Sequence, residues 1–339
     1  MLAALTYHFI EKPVREFRRV RWPRVVGAGF ALPAVLFSSA ALSAIHWQGM
    51  PERFDEELNR KSAAVLTYAY DVRGRCNEGP IKSPLGPDKC VLGIEKPEVD
   101  ILLVGDSHAN HFSGMISVLA DDAGLRGYDV TQSNTAFLVG VERFYRQGEQ
   151  VVRHSNFSER NAVIEQKLLP DRYDYVVLGG SFVGHYNDGL FSTDLIAPVA
   201  PTPEIFRKAM VRTITEIIGY GSTPVLIKGN PTFEFDVSSC TLNNERFGLD
   251  KNCHLERDDY DEKFREWSQF VEALQEQFPQ LMVIDPAKVM CDERKCYSEL
   301  DGVPLYKDSG HLNYEGSKLI GELYIDRFGN PFATAASGR

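Results

Sequence analysis

No Cys-x-x-Cys pair occurs in the 339-residue sequence, and no histidine stands at zinc-finger spacing from a cysteine. The pattern argues against a structural zinc site as the purpose of the six cysteines. No internal repeat and no low-complexity run is present. Basic residues are in deficit, 37 Lys and Arg against 47 Asp and Glu, for a net charge of −10. An acidic chain is a poor match to a phosphate backbone, so nucleic acid is not an expected partner. Charge is missing altogether from Val25 to Pro51, where no Lys, Arg, Asp or Glu occurs.

What is present is the makings of a globular chain, 43% hydrophobic and 25% charged, long enough for one large domain with additions or for two domains. Six basic residues (Lys12, Arg15, Arg18, Arg19, Arg21, Arg24) against Glu11 and Glu16 precede the uncharged run, leaving 31 basic and 45 acidic residues beyond it. Val25–Trp47 is long enough to cross a bilayer. Pro33 and several small residues are tolerated in membrane helices, and Trp22 and Trp47 flank the span as interfacial aromatics do. The positive flank predicts a cytoplasmic amino end. The alternative is a cleaved signal peptide with Ala-Leu-Ser-Ala at its end, for which the basic segment and the apolar run are both long. Either way the main domain is exported, and acidic Glu52, Asp55, Glu56 and Glu57 follow the span.

The cysteines fall as neighbours in three loop-like stretches: Cys76 with Cys90, Cys240 with Cys253, Cys291 with Cys296. That favours three local disulfides in an oxidising compartment; the competing reading is six buried free thiols. Pro51–Lys96 reads as a connector with an amphipathic opening (Phe54, Leu58, Val65, Leu66) and a Gly/Pro-rich loop packed on the domain. Beyond it, apolar runs predict strands at Ile101–Val104, Tyr128–Gln132, Tyr173–Leu178, Pro224–Ile227 and Leu281–Ile284. Helices are predicted at Ser158–Leu169, Ile205–Ile218, Tyr260–Phe278 and Tyr314–Phe328. Phe233–His254 and Val289–Val303 read as cysteine-bearing loops. Alternating strands and helices predict an α/β fold with a parallel, doubly wound sheet.

The chain is organised around Val-Asp-Ile-Leu-Leu-Val-Gly-Asp-Ser-His-Ala-Asn-His-Phe, residues 99–112. Ile101–Val104 is a buried-strand run, Gly105 ends it, and Phe112, Met115, Ile116 and Leu119 repeat at helical spacing. Ser107 therefore falls between the carboxyl end of a strand and the amino end of a helix, where open α/β sheets bind ligands and helix N–H groups favour negative charge. Serine and aspartate there also serve as plain helix caps. A hydroxyl nucleophile needs a base, and the base needs a partner to fix its tautomer. Lys307-Asp308-Ser309-Gly310-His311-Leu312-Asn313 offers both in Asp308 and His311, with Asn313 again open to reading as a cap.

Gly105-Asp106-Ser107-His108 resembles the first block of the SGNH/GDSL hydrolase superfamily, and Asp308-Ser309-Gly310-His311 its last, Asp-x-x-His. The resemblance spans roughly Asp100 to Phe328. It implies a three-layer α/β/α, flavodoxin-like sandwich, with Ser107 as nucleophile, His311 as general base and Asp308 as its orienting carboxylate. The superfamily completes its oxyanion hole with a Gly after the second strand and an Asn after the third. Here Gly179-Gly180-Ser181 follows the third strand, so Ser107 N–H, Asn134 and Ser181 become the candidate donors, with Asn230 behind them. A Gly-Asp-x-His start also occurs in metallophosphoesterases, but their further Gly-Asp and Gly-Asn-His-Glu motifs are missing, and no metal is expected. Trp267, Phe270 and Phe264 read as core.

Leu5-Thr6-Tyr7-His8-Phe9-Ile10-Glu11-Lys12-Pro13-Val14-Arg15 resembles the closing segment of acyltransferase-3 membrane proteins, which in bacteria are often fused through one further membrane helix to a periplasmic SGNH domain. The resemblance implies a polysaccharide O-acetyltransferase acting on O-antigen or exopolysaccharide, held in the inner membrane with its catalytic domain in the periplasm. Acetyl-CoA would be the ultimate donor, acting through a membrane acyltransferase partner and not bound directly. The roughly ten membrane helices that should precede Tyr7 are missing, so a truncated reading frame or a separate acyltransferase polypeptide is expected. The expected divisions are a cytoplasmic tail (1–24), a membrane helix (25–47), a periplasmic extension (48–98), the SGNH domain (99–330) and a tail (331–339). A carbohydrate esterase using the same triad, or a silent glycan-binding remnant, are the rival readings.

Overall fold

The computed structural model describes residues 7–12, 26–47, 49–73, 76 and 89–333. Trp22, all of the basic cluster but Lys12, residues 5, 6 and 13–15 of the Leu5–Arg15 segment and the last residues of the tail lie outside them. The chain divides into two compact units, Met1–Asn59 and Arg60–Arg339.

In the first unit a π turn, Gly27–Ala31, leads into a helix, Leu32–His46. Gly29–His46 is long and apolar enough to cross a membrane. None of its side chains is buried, and Phe37 is 78% exposed. An apolar helix with no protein cover and no polar face is suited to lipid rather than to water.

The second unit is built on a six-stranded sheet: β1 Val91–Gly93, β2 Ile101–Gly105, β3 Arg126–Asp129, β4 Tyr175–Gly179, β5 Thr223–Ile227 and β6 Met282–Ile284. Their spatial order is β1-β3-β2-β4-β5-β6. The last five are parallel neighbours, and β1 pairs antiparallel with β3, Val91 opposite Tyr128. The edge strand was unforeseen: it lies in the stretch read as an extension, so the sheet begins ahead of residue 99.

Every residue of β2 is buried, as a central parallel strand requires. Its pleat sends Leu102 and Val104 to one face and Ile101 and Leu103 to the other. The first face packs against helices Ser155–Val163, Pro203–Gly219 and Arg257–Gln277 through Phe157, Phe206, Met210, Ile214 and Trp267. The second packs against Ser113–Asp122 and Tyr314–Phe328 through Met115, Ile116, Leu119 and Ile320. Three layers, α/β/α, result. Trp267, Phe264 and Phe270 belong to the first layer's core, as the sequence predicts.

All three local disulfides form, Cys76–Cys90, Cys240–Cys253 and Cys291–Cys296, and no described cysteine is free. The region Phe233–His254, read as a loop, contains a helix, Val237–Phe247, capped by Asp236 through the N–H groups of Ser238 and Ser239. An antiparallel ribbon also went unforeseen: Glu142–Gln147 pairs with Gln150–Arg153 and with Leu190–Ser192. Its tight turn uses Gly148 at φ +62.

Gly105 ends β2 at φ +137, and a Cβ there would sit 1.8 Å from the Gly179 carbonyl oxygen. The two glycines let strand ends and the following helix meet. Gly105→Ala should therefore lower stability by roughly 3 kcal/mol or more. Gly124→Ala, with φ +66 but open space around its Cβ, should lose only about 1 kcal/mol. Urea midpoints of the two variants check the contrast.

Candidate active site

The switch point of the sheet, where β3 and β4 leave β2 in opposite directions, opens a crevice at the carboxyl ends of β2 and β4. The chain turns there from β2 into a short helix, Ser107–His111. Asp106, not Ser107, is the cap: its side chain accepts the His108 N–H at 2.8 Å. The capping and nucleophile readings of this tetrapeptide thus fall on different residues, and Ser107 Oγ is left free to face the crevice. The second motif divides the same way. Asn313 caps helix Tyr314–Phe328 by accepting the Gly316 N–H at 2.7 Å, while Asp308 and His311 stand in the loop ahead of it. The helices that follow the two motifs pack on each other, with the Met115 N–H donating to Ser317 Oγ at 3.0 Å. That contact brings together residues two hundred positions apart.

Ser107 Oγ lies 2.9 Å from His311 Nε2. His311 Nδ1 lies 3.0 Å from Asp308 Oδ2 and 3.3 Å from Oδ1. Asp308 Oδ1 also accepts the N–H groups of Gly310, at 2.8 Å, and His311, at 2.7 Å. Burial opposes its charge, but the bonds from His311 and the two N–H groups hold the carboxyl well below the usual range. A carboxylate at Nδ1 fixes that nitrogen as the protonated one, which leaves the Nε2 lone pair facing the Ser107 hydroxyl. The arrangement can take the proton of Ser107 and return it to a leaving group.

Beneath it, Asp106 is 2% exposed. Its oxygens accept from the Ser181 N–H, at 3.0 and 3.3 Å, and from His185 Nε2 at 2.7 Å. Burial would raise its pKa, yet His185, His108 and the Ser181 N–H keep it well below the ordinary carboxylate value. Two further imidazoles crowd His311. The His108 ring is 4.5 Å from it and the His111 ring 5.9 Å. Burial first, then the nearby histidines, push His108 down to about 4 and His111 well below its usual value. His111 Nδ1 accepts the Leu312 N–H at 3.2 Å, which keeps that nitrogen unprotonated.

The crevice encloses about 630 Å³ and is lined by Ser107, His311, Asn134, Ser181 and the ribbon residues Arg143 and Tyr145, among others. Of the oxyanion candidates, Asn134 and Ser181 share this wall with Ser107. The Ser181 N–H is already given to Asp106, which leaves its hydroxyl. Asn230 does not line the crevice; its amide donates to the Gly310 carbonyl at 2.9 Å and the Pro231 carbonyl at 3.0 Å, bracing the His311 loop. Sequence reasoning offered His185 only as one of several available histidines and missed its contact with Asp106; Arg143 it missed altogether. The β-prone pairs Phe144-Tyr145 and Val151-Val152 on either side of the turn residue Gly148 were the signal that could have exposed the ribbon and Arg143 with it. No cluster of three or more metal-ligating side chains occurs among the described residues.

A three-layer α/β/α sheet with a serine, histidine and aspartate meeting at its switch point has the geometry that an activated serine requires. The family model "SGNH domain (fused to AT3 domains)" matches residues 75–326, and the chain belongs to that family. A search of curated proteins finds no match. Among solved structures, the periplasmic domain of a lipopolysaccharide acetyltransferase from Salmonella ser. Paratyphi A is similar at 16% identity and a TM-score of 0.51, covering 79% of this chain and 98% of that one. A putative lipolytic protein of the G-D-S-L family from Desulfitobacterium hafniense DCB-2 aligns at 15% identity and a TM-score of 0.36, over 67% and 97% of the two chains.

An aspartate held below its unfolded value of about 3.9 stabilises the fold fully above that value and loses its contribution as pH falls through it toward the folded value. Asp106→Asn removes one such group. Urea midpoints measured from pH 3 to 7 should fall less steeply below about pH 4 in the variant than in the parent chain, and the parent should be the more stable at pH 7.

Proposed function

We propose that the chain is an O-acetyltransferase that moves an acetyl group through an acyl-serine to a hydroxyl of a cell-surface polysaccharide. The observation that carries the reading is the 2.9 Å approach of Ser107 Oγ to His311 Nε2 inside the crevice of an SGNH-family domain. His311 takes the Ser107 proton as Oγ attacks the acetyl carbonyl carbon. The oxyanion that forms is held by the Ser107 N–H, with the Asn134 side chain and the Ser181 hydroxyl as further donors. Collapse expels the donor's leaving group, which takes the proton from His311. A sugar hydroxyl then gives its proton to His311 and attacks the acetyl-serine, and the reverse collapse frees Ser107. Asp308 keeps the imidazole in its working tautomer and stabilises the imidazolium between steps.

The acetyl group originates in cytoplasmic acetyl-CoA and is delivered by a membrane acyltransferase, since the family is one whose domain is fused to such proteins. The apolar helix anchors the chain in the bacterial inner membrane as a single span, with the catalytic unit in the periplasm. Three disulfides and the likeness to a periplasmic acetyltransferase domain support that side. The acidic flank after the helix and the basic residues before it agree.

The test is turnover of a chromogenic acetyl ester by the full chain in detergent, with and without oligosaccharide acceptors, the products read by mass spectrometry. Ser107→Ala should remove at least about 10³-fold of the activity and the acetyl adduct on the protein. Asp308→Asn should lower kcat by about 10²-fold or more with the adduct still formed slowly. Acetylated sugar is the expected product; free acetate at one rate whatever the acceptor would assign a hydrolase instead.

A further inference from the structure

The ribbon Glu142–Gln147 forms one wall of the crevice and sets Arg143, Tyr145 and Arg146 along it. Arg143 and Tyr145 alternate on one side of the strand. The Arg143 guanidinium donates to the Asn134 carbonyl, and Arg146 donates to the Val199 carbonyl at 2.7 Å. Both partners are neutral. The carboxylates that could have balanced Arg143 are engaged elsewhere: Glu142 pairs with Arg153 at 2.7 Å and Asp106 with His185 at 2.7 Å. Asp188 is the remaining acid in the wall, and no ion pair joins it to either arginine among the described residues. Burial lowers the Arg143 pKa, against the field of Asp106. In an acidic chain, a half-buried cation with no salt bridge among the described residues, balanced only by the field of the buried Asp106, stands in the crevice that holds the triad. Such a charge costs free energy when the crevice is empty, and an anion supplied from outside offsets that cost.

We propose that Arg143 receives an acidic group, a carboxylate or a phosphate ester, on the saccharide whose hydroxyl is presented to Ser107. This rests on the transferase reading and specifies its acceptor. The planar guanidinium can grip two oxygens of such a group at once, which fixes the sugar's orientation as well as its presence. Tyr145, 42% exposed, offers a ring face beside it for the sugar. A neutral acceptor leaves the charge as it stands and gains nothing from it.

Binding tests the proposal without turnover, so it can fail independently of the transferase reading. The full chain in detergent micelles, carrying Ser107→Ala to prevent reaction, is titrated calorimetrically with tetragalacturonate, with glucose 1-phosphate and with neutral maltotetraose. At least one anionic probe should bind tenfold or more tighter than maltotetraose, with the preference shrinking as salt is raised. Whether it is the uronate or the phosphate identifies the acidic group. Arg143→Gln should cut that preference about tenfold to a hundredfold, and Arg143→Lys should retain part of it. The unfolding midpoint of each variant reports whether the fold is intact. Equal affinity for acidic and neutral probes in the parent would overturn the proposal. So would a preference that survives Arg143→Gln in a folded protein.

Discussion

The buried Asp106 carboxylate is the interaction on which the site depends. One carboxylate gathers the N–H of His108, the N–H of Ser181 and the ring of His185, from the nucleophile helix, the turn after β4 and the helix that follows it. Each charge-assisted bond contributes about 1.5–3 kcal/mol, together comparable with the several kcal/mol that burying a charge costs. With one donor removed, the balance would tilt toward protonation and the turn carrying Ser107 would lose an anchor. The Ser107 hydroxyl takes no part in this frame and is held instead by His311.

Around that anchor the site is put together from pieces with separate structural reasons to be where they are. Gly105 and Gly179 allow the nucleophile helix to begin against the sheet. Asn313 starts the last helix, whose packing on Ser113–Asp122 carries His311 to the crevice, and Asn230 ties the His311 loop to the turn after β5. The antiparallel ribbon is different in kind. It is not part of the parallel sheet: it buries Phe144, Leu190 and Phe191, and its charged and aromatic residues supply the crevice with features that a bare sheet edge would lack.

Much of this was legible in the sequence, for physical reasons. Ile101–Val104 and Tyr175–Leu178 are buried on both faces and read as unbroken apolar runs. The two motifs carry their turn residues with them, and local cysteine pairs had no nearer alternatives. The rest was not legible because the signal lay in tertiary placement. Val91–Gly93 is three residues long and is a strand only because β3 is beside it. The ribbon's strands are rich in Glu, Arg and Gln, and their apolar residues (Phe144, Tyr145, Val151, Val152) show no two-residue alternation. Val237–Phe247 is too polar to announce a helix. His185 had no motif to mark it, and Arg143 gains its meaning from carboxylates that are occupied elsewhere.

The two neutral imidazoles flanking His311 have a consequence for how protons are counted. His108 and His111 stand beside the base with their pKa values pushed down, chiefly by desolvation, and the Nδ1 lone pair of His111 is taken by the Leu312 N–H. A proton leaving Ser107 therefore has one address. In the proposed cycle the lowered basicity of both neighbours favours keeping that proton on His311 until an oxygen in the crevice claims it. A row of histidines that looks like a relay is, in this fold, insulation.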